Sequence, residues 1–380
     1  MVKVDDAKVK FDQSIKLSRP LQQAAAVAMK DVLKAKPGER ILIITNPNND
    51  VQQISMALYD AALTAGAIPT VLFQSMKSQL DFADDSVIHA IRSEPEIILS
   101  ISHEKLGKDR FAMKKHYKYK GKSYDNVFHY LLGSKKTRSF WSPSVTVKMF
   151  ETTVPINYKH LKENCIKLKK IFDNADTVSI TTKQGTDLVM GLRGRKALTD
   201  DGDFSKPGAG GNIPSGEMFI SPALGSSEGT LVFDGCIALD KGVSIIKKPI
   251  VTKIKKNLVT KITGGAEAKQ LKATLDRAKK TTRKFASSGK IAKKDLPDYL
   301  KNIFNLGELG IGLNEKATIV GNMLQDEKVF KTCHIAIGAN YDDDAKALIH
   351  LDGLLMNPTM ETIDNKGHST LVMKDGKIMI

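Results

Sequence analysis

The segment ERILIITNPN, residues 39–48, is the strongest indication of the fold of the first part of the chain. Its apolar run is short and ends in turn-forming residues, which predicts a buried strand. Asp50 is a suitable cap for a helix that ends at Gly66. Two more apolar runs, AIPTVLFQ (67–74) and EIILSIS (96–102), predict the next strands. Strand, helix and strand at this spacing imply parallel pairing with right-handed crossovers.

The rest of the chain suggests a second domain. Residues 103–160 look irregular, and KKHYKYKGKSY (114–124) reads as an exposed hairpin or a loop that contacts a polyanion. A lysine-rich helix near 164–176 precedes the strand-like run DTVSITT (176–182). We therefore expect an α/β protein of two domains: an amino-terminal domain with parallel strands, residues 1–165, and a carboxy-terminal α/β domain, residues 166–380. No GxGxxG or GxxxxGKS motif follows the first strand, which argues against a nucleotide site.

Composition is that of a folded protein with two cores. The chain has 380 residues, of which 41% are hydrophobic and 26% charged. No apolar run approaches the roughly 18 residues that a membrane span needs. The amino terminus MVKVDDAKVKFDQ (1–13) lacks the apolar centre of a secretion signal. Cys165, Cys236 and Cys333 are far apart and odd in number, which favours reduced thiols and a cytoplasmic location.

The net charge of +16 comes almost entirely from one segment. Residues 247–294 contain 16 Lys or Arg against two acids, Glu267 and Asp276, a local balance of +14. Such a stretch is compatible with binding nucleic acid or an acidic partner. With one aromatic residue and no run of arginines, it is more typical of a solvated helical face.

Acids and histidines gather in the second half. The glycine-rich loop KPGAGGNIPSGEMFISP (206–222) ends at Glu217, and a rigid loop with one acid suits a metal ligand. Glu308 lies in NLGELGIGLN, Glu327 in QDEK and His334 in TCHIAIGANY. His350 and Asp352, in IHLDG, are two apart on a predicted strand, so both can reach one ion. Imidazole and carboxylate without cysteine are typical of a catalytic site for a divalent metal.

Taken together, GTDL, GNIPSGEMFISP, NLGELGIG, DEKVFKTCHIAIGANY and IHLDG resemble the aminopeptidase T/AmpS/PepS family of metallopeptidases. The resemblance covers about residues 166–380. It implies a homodimeric hydrolase that removes residues from peptides with a free amino terminus. It also implies two divalent ions per chain, of zinc, cobalt, manganese or magnesium. The implied metal ligands are Glu217, Glu308, Glu327, His334, His350 and Asp352, with Glu308 and Tyr341 also catalytic.

Two other functions are compatible with the sequence. A ring-cleaving dihydroxypyridine dioxygenase has a similar fold and one iron held partly by an HxD pair, which His350 and Asp352 would supply. A mononuclear site does not need Glu217, Glu308 and Glu327 together, so the number of acids favours the peptidase. The second alternative is a protein that binds nucleic acid or an acidic partner through residues 247–294.

Overall fold

The computed structural model describes residues 16–78 and 81–380. The amino-terminal stretch 1–13, on which the absence of a secretion signal was predicted, lies outside them. The chain forms two compact units. The first extends to Tyr158 and also takes up Gly202–Pro214, whereas the second consists of Lys159–Asp201 and Ser215–Ile380.

The helices, in chain order, are α1 (Arg19–Val27), α2 (Asn49–Thr64), α3 (Asp85–Arg92), α4 (Arg110–Lys114), α5 (Val127–Gly133), α6 (Val147–Thr153), α7 (Tyr158–Phe172), α8 (Ala266–Ser287), α9 (Leu296–Asn302) and α10 (Met323–Asp326). A π-helical turn, Ala28–Val32, continues α1, and a 3-10 turn, Lys293–Asp295, precedes α9.

The strands, in chain order, are β1 (Arg40–Thr45), β2 (Ile68–Phe73), β3 (Ile97–Ile101), β4 (Tyr117–Tyr119), β5 (Lys122–Tyr124), β6 (Arg138–Trp141), β7 (Ala175–Thr181), β8 (Asp187–Gly191), β9 (Leu198–Asp200), β10 (Gly210–Asn212), β11 (Glu217–Ile220), β12 (Glu228–Phe233), β13 (Cys236–Leu239), β14 (Gly242–Ile245), β15 (Ile250–Lys255), β16 (Leu258–Thr263), β17 (Leu306–Gly312), β18 (Thr332–Gly338), β19 (His350–Met356), β20 (Thr359–Asp364), β21 (Ser369–Lys374) and β22 (Lys377–Ile378).

The first unit contains the predicted parallel sheet. Its strand order is β10-β6-β3-β1-β2, and every neighbouring pair is parallel. The first three predicted strands are confirmed. The predicted helix cap is wrong, because Asn48 rather than Asp50 caps α2, its side chain accepting the Asp50 N–H. Asp50 instead accepts the N–H of Val147.

Residues 103–160 are more regular than predicted. They contain four helices or parts of helices and the strand β6, which pairs with β3. Half of this four-residue strand is polar: Arg138 and Ser139 are buried, and Arg138 forms an ion pair with Glu39 at 2.6 Å. A strand this short and polar gives no apolar pattern to detect. The predicted hairpin is confirmed as β4 and β5.

The second unit is built on two antiparallel sheets rather than on parallel strands. One has the order β14-β13-β19-β18-β17-β11-β9 and the other β16-β15-β12-β8-β7-β20-β21-β22. A turn at Gly185 connects β7 and β8, and its φ of +101° is one that glycine adopts readily. In the first sheet, all seven residues of β17 and of β18 are buried. The α/β class with two domains is confirmed.

The lysine-rich segment folds largely into β15, β16 and the long helix α8. One stripe of α8 is buried, with Ala268, Leu271, Leu275 and Ala278 at helical spacing. Lys280 and Lys284 lie on the opposite face and are exposed. The prediction of a solvated helical face is confirmed for α8. Within the described part of the chain, no helix is long and apolar enough to cross a membrane.

Candidate metal centre

Four neighbouring strands of the first sheet of the second unit bring five of the six predicted ligands together. In spatial order these are β19, β18, β17 and β11. Four of the five side chains are buried, and the fifth, that of His350, is half-buried. The strands carry Glu217 on β11, Glu308 on β17, His334 on β18, and His350 with Asp352 on β19.

Glu308 lies at the middle of this cluster. Its Oε1 is 3.1 Å from His334 Nε2, and its Oε2 is 3.1 Å from His350 Nε2. Asp352 Oδ1 lies 3.2 Å from His350 Nε2, so the two residues of the HxD pair share one face as predicted. Glu217 Oε2 approaches His334 Nε2 at 3.5 Å. The carboxylate of Glu308 therefore lies between two groups of donors, His334 with Glu217 and His350 with Asp352.

Small residues make room for these side chains. Residues paired across antiparallel strands project from the same face of the sheet. His334 is paired with Gly310, and a Cβ on Gly310 would lie 2.0 Å from His334 Nε2. Ala336 is the partner of both Glu308 and Asp352. In the segments GELGIG and HIAIG, Gly310 and Ala336 are therefore small because larger side chains would occupy the space that the neighbouring ligands fill.

The charges of the cluster are strongly coupled. Burial opposes ionisation of Glu308, but hydrogen bonds and charge from His334 and His350 outweigh it and lower the pKa of the carboxyl to about 2. Burial opposes protonation of His334, yet Glu308, Glu217 and Asp352 raise its pKa to about 9. The pKa of His350 is also raised, because Asp352 and Glu308 outweigh its burial. Without a metal, the carboxylates hold protons on the imidazoles.

The ring of His350 is held in one orientation. Its Nδ1 lies 2.9 Å from the carbonyl oxygen of Ala339, to which an Nδ1–H can donate. That hydrogen bond leaves Nε2 to face Glu308 and Asp352. A backbone carbonyl that fixes the second ring nitrogen is the usual support of a metal-binding histidine.

Glu327 lies beside the cluster but faces a residue that the sequence analysis did not single out. Lys328 is fully buried, and its Nζ is 2.7 Å from Glu327 Oε1 and 2.5 Å from Glu217 Oε1. It also lies 3.6 Å from Asp200 Oδ2. Burial opposes its charge, but these three carboxylates raise the pKa of the amine well above its ordinary value. No sequence pattern marks a lysine for burial, so Lys328 and Asp200 were missed.

Burial also weakens the acidity of two of these carboxyls. It raises the pKa of Glu327 to about 8, against the opposing charge of Lys328, with Glu217 and Asp352 adding to the rise. It raises the pKa of Asp200 to about 7 in the same way. The ammonium group of Lys328 therefore lies among three buried carboxyl groups, those of Asp200, Glu217 and Glu327.

Tyr341 lies at the edge of the site. Its ring centroid is 5.2 Å from that of His350 and 5.2 Å from that of Phe219, and 58% of the residue is exposed. Cys333 is a buried free thiol, and burial raises its pKa. Asp326, the neighbour of Glu327 along the chain, accepts the N–H groups of a turn and lies outside the cluster.

The arrangement fits a divalent ion. Two trios of the described residues have ligand atoms within 4.8 Å of one another: Glu217, Glu308 and His334, and Glu308, His350 and Asp352. Glu217 Oε2, Glu308 Oε2, His334 Nδ1 and Asp352 Oδ1 are buried without a well-formed hydrogen bond. Buried polar atoms without partners are costly, and an ion would satisfy the carboxylate oxygens. The chain therefore has the donors of a metal site.

Comparison with known proteins finds similarity to a dihydroxypyridine dioxygenase. Residues 146–334 match the family model described as NicX: 2,5-dihydroxypyridine 5,6-dioxygenase. A curated 2,5-dihydroxypyridine 5,6-dioxygenase of Pseudomonas putida is 30% identical over 111 residues, 29% of this chain. That alignment spans only 32% of the relative's length.

Two solved structures share the fold. The 2,5-dihydroxypyridine dioxygenase of Pseudomonas putida KT2440 matches with a TM-score of 0.69 and 17% identity, over 94% of this chain and 96% of its own. Wild-type AmpT from Thermus thermophilus matches with a TM-score of 0.63 and 17% identity, over 95% of this chain and 99% of its own. At this identity the likeness concerns the fold alone.

The prediction of an aminopeptidase, and with it of a hydrolase, is wrong. The family model and the curated relative both name a dioxygenase instead. The resemblance to the aminopeptidase T family is confirmed only as a shared fold. The number of acids favoured the peptidase in the sequence, but Glu217 and Glu327 both contact Lys328, so the number of carboxylates alone does not give the number of metal ions.

Proposed function

We propose that the chain is a ring-cleaving dioxygenase that acts on a dihydroxylated aromatic ring of the dihydroxypyridine type and uses one ferrous ion. The observation that carries the proposal is the match of residues 146–334 to the dihydroxypyridine dioxygenase family. The curated relative supports it, and the fold is compatible with it. An imidazole and two carboxylates gathered in the same unit are compatible with iron.

Glu308, His350 and Asp352 are the residues that would hold the ion. Their ligand atoms form one trio, and three protein ligands leave coordination positions open. The Ala339 carbonyl keeps His350 Nε2 directed at the trio. When bound, ferrous iron supplies the redox chemistry that makes dioxygen reactive towards the ring.

The remaining side chains prepare the site for a planar substrate. His334 contacts Glu308 Oε1 and so fixes the carboxylate that would face the ion. The rings of Tyr341 and Phe219 lie side by side at the edge of the trio. Aromatic faces of this kind stack on planar rings and exclude water from them. We assign the binding of the ring to these two residues and the binding of the ion to the trio.

Oxygen uptake tests the proposal. The full chain is loaded anaerobically with ferrous sulfate, desalted and mixed with 2,5-dihydroxypyridine in an oxygen electrode. We expect uptake of one dioxygen per ring consumed, with uptake reduced at least about a hundredfold in His350→Ala and Asp352→Asn. His368→Ala, an exposed histidine outside the cluster, is the matched control and should behave like the wild type. Ring loss without oxygen uptake, or no reaction by iron-loaded protein, would contradict the proposal.

A further inference from the structure

We propose that Lys328 takes the place of a second metal ion, so that the chain binds one divalent ion. We infer further that the carboxylates around Lys328 form a second divalent-cation site once the lysine is removed. These carboxylates belong to Asp200, Glu217 and Glu327. The inference rests on the metal site of the proposed function, and it is independent of the reaction that the ion supports.

The ammonium group lies where a cation is needed. It is 2.5 Å from Glu217, 2.7 Å from Glu327 and 3.6 Å from Asp200, with 0% of the residue exposed. Lysine is almost never fully buried unless it is paired. Three carboxylates around one buried point are also a common oxygen ligand set for a divalent ion.

The strand register forces two of these acids together. Glu217 on β11 is the direct partner of Asp200 on β9, and both residues are 6% exposed. Like charges at directly opposite positions of an antiparallel pair repel each other. A cation must therefore lie between them when both are ionised, and Lys328 supplies it.

Glu217 connects the lysine to the metal centre. Its Oε1 contacts Lys328, while its Oε2 faces His334 in the trio of Glu217, Glu308 and His334. An ion in that trio would share a carboxylate with the ammonium, and the two positive charges would repel each other. The other trio, with His350 and Asp352, does not include Glu217. With Lys328 in place, the trio of Glu308, His350 and Asp352 is therefore the one that holds a metal ion.

The backbone is shaped to hold the lysine in this position. Asn314 donates its N–H to the carbonyl oxygen of Lys328 at 2.8 Å. A Cβ on Gly312 of β17 would lie 2.1 Å from the carbonyl oxygen of Val329 and 2.9 Å from the carbonyl carbon of Lys328. The glycine lets the loop that follows α10 lie directly against β17. The burial of Lys328 is therefore a property of the fold and not of one side-chain rotamer.

Metal counting tests the inference without substrate or oxygen. The wild type and Lys328→Met, which keeps much of the length but removes the charge, are incubated with manganese(II) chloride, desalted and analysed for metal per chain. We expect one equivalent in the wild type and two in Lys328→Met. Lys328→Arg, which keeps a positive charge, and Lys280→Met, which changes an exposed lysine, should each bind one.

Three results would overturn the inference: two equivalents in the wild type, one in folded Lys328→Met, or two in Lys280→Met. If Lys328→Met does not fold without metal, manganese should restore its cooperative thermal unfolding, and the wild-type count still decides between one ion and two. Because the count uses neither dioxygen nor a ring substrate, its failure would leave the proposed ring-cleaving reaction standing, although two equivalents in the wild type would contradict the use of a single ion. Absence of oxygen uptake would in turn leave the inference about the number of metal ions per chain standing.

Discussion

Gly310→Ala should disable the metal centre through one methyl group. The new Cβ would lie 2.0 Å from His334 Nε2 and 2.1 Å from its Cε1. Ordinary contacts of a Cβ are about 3.4 Å or longer, so the imidazole must move by more than about 1 Å. Metal sites tolerate ligand displacements of about 0.2 Å. Since His334 supports Glu308 at 3.1 Å, the carboxylate loses that support.

Two magnitudes follow. Overpacking of this kind costs about 1–3 kcal/mol of unfolding free energy. Loss of a residue that positions a ligand costs about 10–100-fold in metal affinity. Denaturant unfolding of the metal-free chain measures the first quantity, and competition with a metal chelator measures the second. We expect both to change in Gly310→Ala.

The matched control is Gly191→Ala, in the other sheet of the second unit. A Cβ there would lie 2.5 Å from the Cβ of Ser226, so the chain is overpacked away from the metal centre. We expect lower stability with unchanged metal affinity. The double variant with His334→Ala gives a sharper test, because it removes the group that the methyl group strikes. If Gly310→Ala destabilises the His334→Ala background as much as the wild type, the steric reasoning is refuted.

Three other predictions follow from the charges and the packing of the site. The pKa of His334 is raised from 6.5 to about 9, so protonation of this imidazole contributes about 3 kcal/mol to the unfolding free energy of the metal-free chain. That contribution is fully present below about pH 6.5 and is lost as the pH rises through about 9. Denaturant unfolding between pH 6 and 10, compared with His334→Gln, measures it, and parallel curves for the two proteins would contradict the assignment. Glu308→Gln keeps its size but loses a charge, so we expect a folded protein with at least about a hundredfold lower iron-dependent oxygen uptake, and normal uptake would exclude Glu308 as a ligand. Cys333→Ala should keep most of that uptake at a cost of about 1 kcal/mol in unfolding free energy, because the thiol is buried and uncharged; inactivity at full metal content would show that the sulfur takes part.

The strands and the convergence of the ligands were predictable from the sequence because each depends on local pattern. The run ILIIT (41–45) is apolar and bounded by turn residues, and it forms an inner strand of the parallel sheet, between β3 and β2. His350 and Asp352 were expected on one face because strand side chains alternate, and their side chains are 3.2 Å apart. By contrast, β6 was missed because its four residues include Arg138 and Ser139, whose burial depends on partners distant in sequence.

The burial of Lys328 among acids could not be predicted because it depends on contacts between distant segments. Glu217 and Lys328 are 111 residues apart in the sequence, yet they form one ion pair. A lysine next to an acid in QDEK is ordinarily a solvated residue. The aminopeptidase prediction counted Glu217 and Glu327 among the metal ligands, and the sequence did not show that both contact the buried ammonium group of Lys328.

Isotope labelling shows whether the chain inserts dioxygen into the ring. Iron-loaded protein is given 2,5-dihydroxypyridine under labelled dioxygen in unlabelled water, and the product mass is measured. A ring-cleaving dioxygenase should place both labelled oxygen atoms in a ring-opened product. A product that takes its oxygen only from water, or a ring that stays closed, would contradict the account.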